Sequence, residues 1–249
     1  LVRKRCLDTS LLATILGGQL GVQNLPTSVI TIAVCVCSFA KLQIDDFPKE
    51  QDLKNFEYTT PQTLREAVKL LAENGSGARV LAGGTDLIVQ MRINKRRPDR
   101  VVDVKNISEL NELSIGSRKG LVIGAAVPCH RIYGDAEICE RYPGLVDSAS
   151  IIGGIQIQGR ATFGGNLCNS SPSADTTPIL IAHGAVASIV GPNGKRSVPV
   201  EEFCTGPGTN VLQNGELLVS IVVPLNRKNS ASHYLRFIPR NEMDIAVVG

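Results

Sequence analysis

The chain has 249 residues, 43% hydrophobic and 20% charged, with a net charge of +3. This suits one large or two ordinary globular domains with a real core. Aromatics make up 4% and Trp is absent, which argues against a base-stacking surface for single-stranded nucleic acid. Seven cysteines are scattered without a C-x-x-C, which argues against a disulfide framework or zinc ribbon and fits a reducing, cytoplasmic setting.

Residues 1–55 differ from the rest and read as an atypical, poorly ordered leader or mistranslated upstream stretch. The apolar run from Val29 to Ala40 is too short for a membrane helix. Basic Arg3, Lys4 and Arg5 precede apolar residues, but no clean small-residue cleavage site follows. The domain proper is expected to begin near Phe56.

The first firm element is a helix in which Leu64, Ala67, Val68 and Leu71 share one face. Thr60 is its expected cap, Pro61 its first residue and Asn74-Gly75 its end. Arg79–Ala82 follows as a short buried strand. Gly83-Gly84 breaks it, and Thr85 is expected to cap a helix running to Met91. A strand, a glycine turn and a helix start would present backbone N–H groups to a phosphate. The basic stretch from Arg92 to Arg100 reads as a solvated loop, or as a docking patch for an acidic partner.

Strands are expected at Arg100–Val104 and Leu121–Ala126, and a helical stretch at Glu137–Ala149, divided by Pro143-Gly144. A helix starting at Pro178 continues to Ala182. Strands Ala185–Val190 and Ser197–Val200 are joined by a hairpin at Asn193-Gly194, and Glu216–Val223 is the last clear strand. The mixture lacks regular βαβ alternation, so the fold class is α+β.

Two phosphate-binding look-alikes fail. "GPNGKRS" at Gly191 has too few residues between its glycines for a P-loop, and Arg196 stands where Ser or Thr belongs. "GPGTNV" at Gly206 carries Val211 in the third glycine position of a dinucleotide fingerprint and reads as a surface loop. Two glycine pairs remain, "LAGGTDL" at Leu81–Leu87 and "TFGGN" at Thr162–Asn166. Each suits an ordinary tight turn. Together they also suit a diphosphate, which needs close backbone approach from two sides. Thr85 and Thr162 would add hydroxyls and Asn166 an amide donor. Asp175 would accept from a ribose or ribityl hydroxyl, or cap the following helix. His130, His183 and His233 are isolated and lack metal-ligand spacing.

The segments "VLAGGTDLIVQMR", "ATFGGNLCNSSPSADTTPIL" and "YLRFIPRNEMDIAVVG" resemble the FAD-binding subunit of the molybdenum hydroxylases. That family includes the medium subunit of carbon monoxide dehydrogenase and the flavin domain of xanthine dehydrogenase. The resemblance covers residues 56–249. It implies a two-subdomain FAD-binding fold of the vanillyl-alcohol-oxidase, or PCMH, type. Subdomain 1 would be residues 56–107 and subdomain 2 residues 108–224. Residues 225–249 would begin a truncated C-terminal flavoprotein domain, with Ile245–Val248 as its first strand.

The resemblance also implies FAD, held non-covalently. Leu81, Ala82, Gly83, Gly84, Thr85, Asp86 and Leu87 would wrap the diphosphate. Thr162, Phe163, Gly164, Gly165 and Asn166 would form the second wall. Asp175 would lie near the ribityl or ribose part, and Leu218 beside the adenine. Ile152 would flank the flavin where relatives have an aromatic, and Arg236 would stand near the isoalloxazine. No catalytic residue and no metal ligand is expected in this chain. The implied role is electron transfer, from 2Fe-2S clusters on a small subunit through FAD to NAD, a quinone or oxygen. A large subunit would carry the molybdenum cofactor and oxidise the substrate. No nucleic acid or membrane is expected as a partner. The alternatives are a stand-alone flavin oxidoreductase and an FAD-free scaffold subunit.

Overall fold

A computed structural model of the chain describes residues 53–227 and 229–237. The expected leader up to Asp52 and the expected strand Ile245–Val248 lie outside the described residues. Among the described residues, no helix is long and apolar enough to cross a membrane.

The chain enters through β1 (Glu57–Thr59) and turns into helix α1 (Leu64–Asn74). Thr63 caps α1, its hydroxyl accepting from the Glu66 N–H at 3.2 Å, while the Glu66 carboxylate reaches back to the Gln62 N–H. The helix therefore starts three residues after Pro61, and Thr60 is not its cap. Two threonines compete here, and the one with Glu three positions later wins because donors at both ends of the turn are satisfied. Ala67 and Leu71 are buried on the expected face.

Strand β2 (Ala78–Leu81), helix α2 (Leu87–Arg92) and strand β3 (Arg100–Asp103) follow. The three strands form a parallel sheet in the order β1-β3-β2. Regular βαβ alternation is thus present here. Short strands and a six-residue α2 hid it from the sequence pattern. Helix α2 starts at Leu87, not at Thr85. Its cap position is Asp86, which makes no side-chain capping bond.

The second sheet is antiparallel: β4 (Leu113–Gly116), β5 (Gly120–Gly124), β6 (Val186–Gly191), β7 (Gly194–Pro199) and β10 (Leu217–Val223), in the order β4-β5-β10-β6-β7. Strand β10 is central and almost wholly apolar, with Leu217, Leu218, Ile221 and Val223 buried. The β6–β7 hairpin turns through Pro192 and Asn193, with Gly194 at φ +110°. The two remaining strands, β8 (Cys204–Gly206) and β9 (Thr209–Asn210), form a separate small ladder.

Helices α3 (Cys129–Tyr133), α4 (Ala136–Arg141), α5 (Pro143–Ile151), α6 (Ile155–Gln158), α7 (Phe163–Asn169), α8 (Thr176–Ala182) and α9 (Val200–Phe203) are contributed by residues that follow β5. The divided helical stretch at Pro143-Gly144 is α4 and α5. Helix α8 begins at Thr176, so Pro178 sits within its first turn, where its missing N–H costs nothing. Tyr142, Phe163, Phe203 and Leu145 are fully buried and anchor the main core.

Candidate functional site

The two glycine turns meet. A Cβ at Gly83 would lie 2.1 Å from the Arg160 carbonyl oxygen, so only a bare backbone lets the turn after β2 approach the segment leading into α7. Gly84 has φ +79°, a conformation that suits glycine. In the second pair, a Cβ at Gly164 would lie 2.5 Å from the Ala125 oxygen, so Gly164 seats α7 on the end of β5. The segment is fixed further by Cys129 N–H donating to the Ala161 oxygen at 2.8 Å.

Between these walls lies a cleft of about 570 Å³. Ala82, Gly83, Gly84, Thr85, Asp86 and Leu87 line one side; Ile152, Thr162, Gly164, Gly165 and Asn166 line another; Leu218 closes it from β10. Four expected site residues do not line it. Leu81 is buried with Met91 and Val101, and Phe163 is fully buried in the main core. Both side chains are buried in the cores behind the cleft rather than in it. Asp175 and Arg236 are paired with each other, 3.6 Å apart. Asp175 also accepts from the Tyr234 hydroxyl at 3.0 Å, and Arg236 donates to the Ile151 oxygen at 3.4 Å. Asp175 makes no capping bond to α8; it ties down the segment after β10.

The cleft is rich in donors. Among the described residues, Gly83 and Thr85 make no hydrogen bond, so their N–H groups and the Thr85 hydroxyl are available to a ligand. The Thr162 hydroxyl accepts from the Gly165 N–H at 2.8 Å, capping α7 and leaving its own proton free. The Asn166 oxygen accepts from the Thr176 hydroxyl at 2.6 Å and from the Thr176 N–H. That fixes the amide orientation and leaves the Asn166 NH₂ group to donate elsewhere.

The charge balance points the same way. Arg79 and Arg96 both line the cleft, and among the described residues neither pairs with a carboxylate. Burial, and then the charge of Arg96, push the Arg79 guanidinium below its ordinary pKa. Glu216, also at the cleft, is neutralised by two 2.7 Å bonds from Arg196, which hold its carboxyl below the usual range. The Arg79 guanidinium is held by the Ser76 and Ala78 oxygens at 2.9 and 2.7 Å; a cleft with free N–H groups and two guanidinium groups without a carboxylate partner among the described residues suits an anion.

Sequence reasoning missed Arg79, Arg96, Gly208 and Asn210. The loop at Gly206, expected to be plain surface, turns between β8 and β9 and lines the cleft through Gly208 and Asn210. The Asn210 amide donates to the Cys168 oxygen at 2.8 Å, and the Gly208 N–H to the Ser170 oxygen at 2.8 Å. Its glycines were the available signal, but these partners lie about forty residues away. Among the described residues, no group of three His, Cys, Asp or Glu side chains could hold a metal ion.

Comparison with known proteins identifies the family. The family described as the FAD binding domain in molybdopterin dehydrogenase matches residues 54–226. The xanthine dehydrogenase FAD-binding subunit of Escherichia coli O157:H7 is 36% identical over 193 residues, 77% of this chain. The chain spans 66% of that relative's length. The carbon monoxide dehydrogenase medium chain of Hydrogenophaga pseudoflava is 33% identical over 195 residues, covering 78% of this chain and 67% of that one. Among solved structures, reconstituted CO dehydrogenase from Oligotropha carboxidovorans superposes with a TM-score of 0.69 at 30% identity, over 71% of this chain and 62% of that one. The chain belongs to the family of FAD-binding domains of molybdopterin dehydrogenases.

Proposed function

We propose that this chain is the FAD-binding electron-transfer subunit of a molybdenum hydroxylase of the xanthine or carbon monoxide dehydrogenase type. It would sit between a small 2Fe-2S subunit and a large molybdenum subunit, in the cytoplasm. The acceptor would be NAD, a quinone or oxygen. The fold is read as PCMH-type, with subdomains at 56–107 and 108–224. Names of the relatives support the oxidoreductase role, since they are a dehydrogenase subunit and a dehydrogenase chain.

One observation carries the reading: the Gly83 backbone rests against Arg160, bringing two glycine turns onto one donor-rich cleft. The residues present fit a dinucleotide. The Gly83 and Thr85 N–H groups and the Thr85 hydroxyl would hold the diphosphate from one side, and the Thr162 hydroxyl from the other, with Gly165 leaving room for its close approach. The Asn166 amide, with its orientation fixed by Thr176, would donate to a phosphate or a flavin carbonyl. Ile152 would pack beside the flavin ring as an aliphatic wall, and Leu218 beside the adenine. Asp175 and Arg236 would hold the segment after β10 in place. When bound, FAD supplies the redox chemistry, accepting and releasing electrons one or two at a time. The protein's part is to bind it, orient it and keep it in place.

The test is direct. The purified chain, incubated with FAD and desalted, should retain one flavin per chain and show its visible absorption. A chain that stays colourless and quenches no flavin fluorescence would exclude the reading.

A further inference from the structure

We infer that Cys168 and Cys204 form a redox switch in the wall of the cleft: oxidation joins them in a disulfide that ties the β8–β9 hairpin to the end of α7. Helix α7 ends at Asn169 and β8 begins at Cys204. The Cys204 thiol points at that helix end and donates to the Leu167 oxygen at 3.8 Å. That oxygen belongs to the peptide joining Leu167 to Cys168, so the Cys204 sulfur lies no more than about 7 Å from the Cys168 Cα. Asn210, paired with Cys204 across the hairpin, donates to the Cys168 oxygen at 2.8 Å. Both cysteines carry free thiols and pack against the same core. Among the described residues, the remaining thiols stand elsewhere: Cys129 is sealed in the core, and Cys139 is exposed on α4 with its thiol on the Tyr133 oxygen.

The two thiols are unequal, which sets the order of events. Burial, and then the charge of Cys204, push the Cys168 thiol up to about 12. Cys168 is therefore slow against an oxidant in solution. Cys204 is partly exposed and meets a peroxide first. Its sulfur attacks one peroxide oxygen, the O–O bond breaks, and a sulfenic acid and water form. The Cys168 sulfur, already adjacent, then attacks the Cys204 sulfur. The S–S bond forms, and hydroxide leaves with the Cys168 proton as a second water. Two thiols thus give two electrons to one hydrogen peroxide. Oxygen that takes two electrons from a reduced flavin becomes that peroxide. This source of the oxidant rests on the proposed function; the bond itself does not.

The hairpin is held to α7 by few contacts. The Gly208 N–H donates to the Ser170 oxygen at 2.8 Å, beside the bonds from Asn210 and Cys204. Cys168, Gly208 and Asn210 all line the cleft. A covalent tie here keeps that wall from opening, so a bound dinucleotide leaves more slowly.

The experiment treats the full chain with one equivalent of hydrogen peroxide, alkylates the remaining thiols and maps the peptides. The wild type should yield one linked pair, through Cys168 and Cys204, that dithiothreitol separates. Cys204→Ser should yield no link. Cys168→Ser should stop at a sulfenic acid on Cys204, which dimedone traps. Loaded with FAD, the oxidised wild type should release it about threefold or more slowly than the reduced protein, and neither variant should show that difference. A map without the link, or equal release rates in the two redox states, overturns the proposal while FAD binding stands. A chain that takes up no FAD overturns the cofactor reading alone. The peptide map, and the higher denaturant midpoint that the link should bring, then decide this proposal.

Discussion

Gly83 has no room for a side chain. Its absent Cβ would sit 2.1 Å from the Arg160 oxygen and 2.8 Å from the Arg160 carbonyl carbon, both backbone atoms that cannot swing aside. Gly165 is different: outside its chain neighbours and its own helix backbone, a Cβ there would meet within 4 Å only the Thr162 hydroxyl oxygen, at 2.9 Å. The two glycines therefore predict opposite patterns. Gly83→Ala should destabilise the fold by about 1–3 kcal/mol through forced backbone displacement and weaken FAD binding with it. Gly165→Ala should change stability by no more than about 1 kcal/mol, since Ala is the better helix former, yet still weaken FAD by filling the cleft. Urea unfolding and FAD titration of both variants provide the check. A Gly83→Ala protein as stable as the wild type would mean that the two turns do not depend on their contact.

At the scale of elements, the segment after β10 is held by side chains rather than by a backbone ladder. Tyr142 donates to the Pro224 oxygen at 3.3 Å, and His183 Nε2 bonds the Ser232 hydroxyl at 2.9 Å. The Tyr234 N–H donates to Asp147 at 3.2 Å, and its hydroxyl to Asp175. Burial, and then the bond to Asp175 and its charge, push the Tyr234 phenol up to about 12. The ordinary value is 10.0, so the folded state favours the protonated phenol. That contribution is complete below pH 10 and is lost as pH rises from 10 to 12. The loss should be on the order of 1–2 kcal/mol after allowance for partial exposure. Tyr234→Phe should remove this part of the alkaline decline, measured by denaturant midpoints at pH 9.5 and 11.5. An identical decline in both proteins would show that Tyr234 does not anchor the segment. This anchoring also marks where the sequence stops being legible. The buried face of α1 and the β6–β7 hairpin follow from local periodicity and turn chemistry, and both could be read directly. The glycine pairs could be read as cleft walls, because a bulk-free turn is a local signature. The partner of Asp175 could not, because Tyr234 lies 59 residues further on. Nor could the role of the β8–β9 turn, which depends on Asn210 reaching Cys168. The cap of α1 was misplaced by three residues because Thr60 and Thr63 satisfy the same local rule until Glu66 chooses between them.

For the molecule as a whole, the cleft is assembled from both sheets: the turn after β2 comes from the parallel one, and Leu218 from the centre of the antiparallel one. A ligand that touches both must stabilise them together, because it binds only where both are formed. At FAD concentrations a hundredfold above Kd, the stabilisation is about 2.7 kcal/mol. For a domain of this size that corresponds to a rise of roughly 5–10 °C in Tm. The rise should appear as one transition moving upward. Amide exchange should slow both around residues 82–87 and around residues 162–166, since each wall gains a partner and the open state loses population. ADP alone should give a smaller rise, because it leaves the Ile152 side of the cleft without a ring to pack on. A shift in which only one wall gains protection would mean that the two turns bind separately, and that the contact at Gly83 does not join them into a single site.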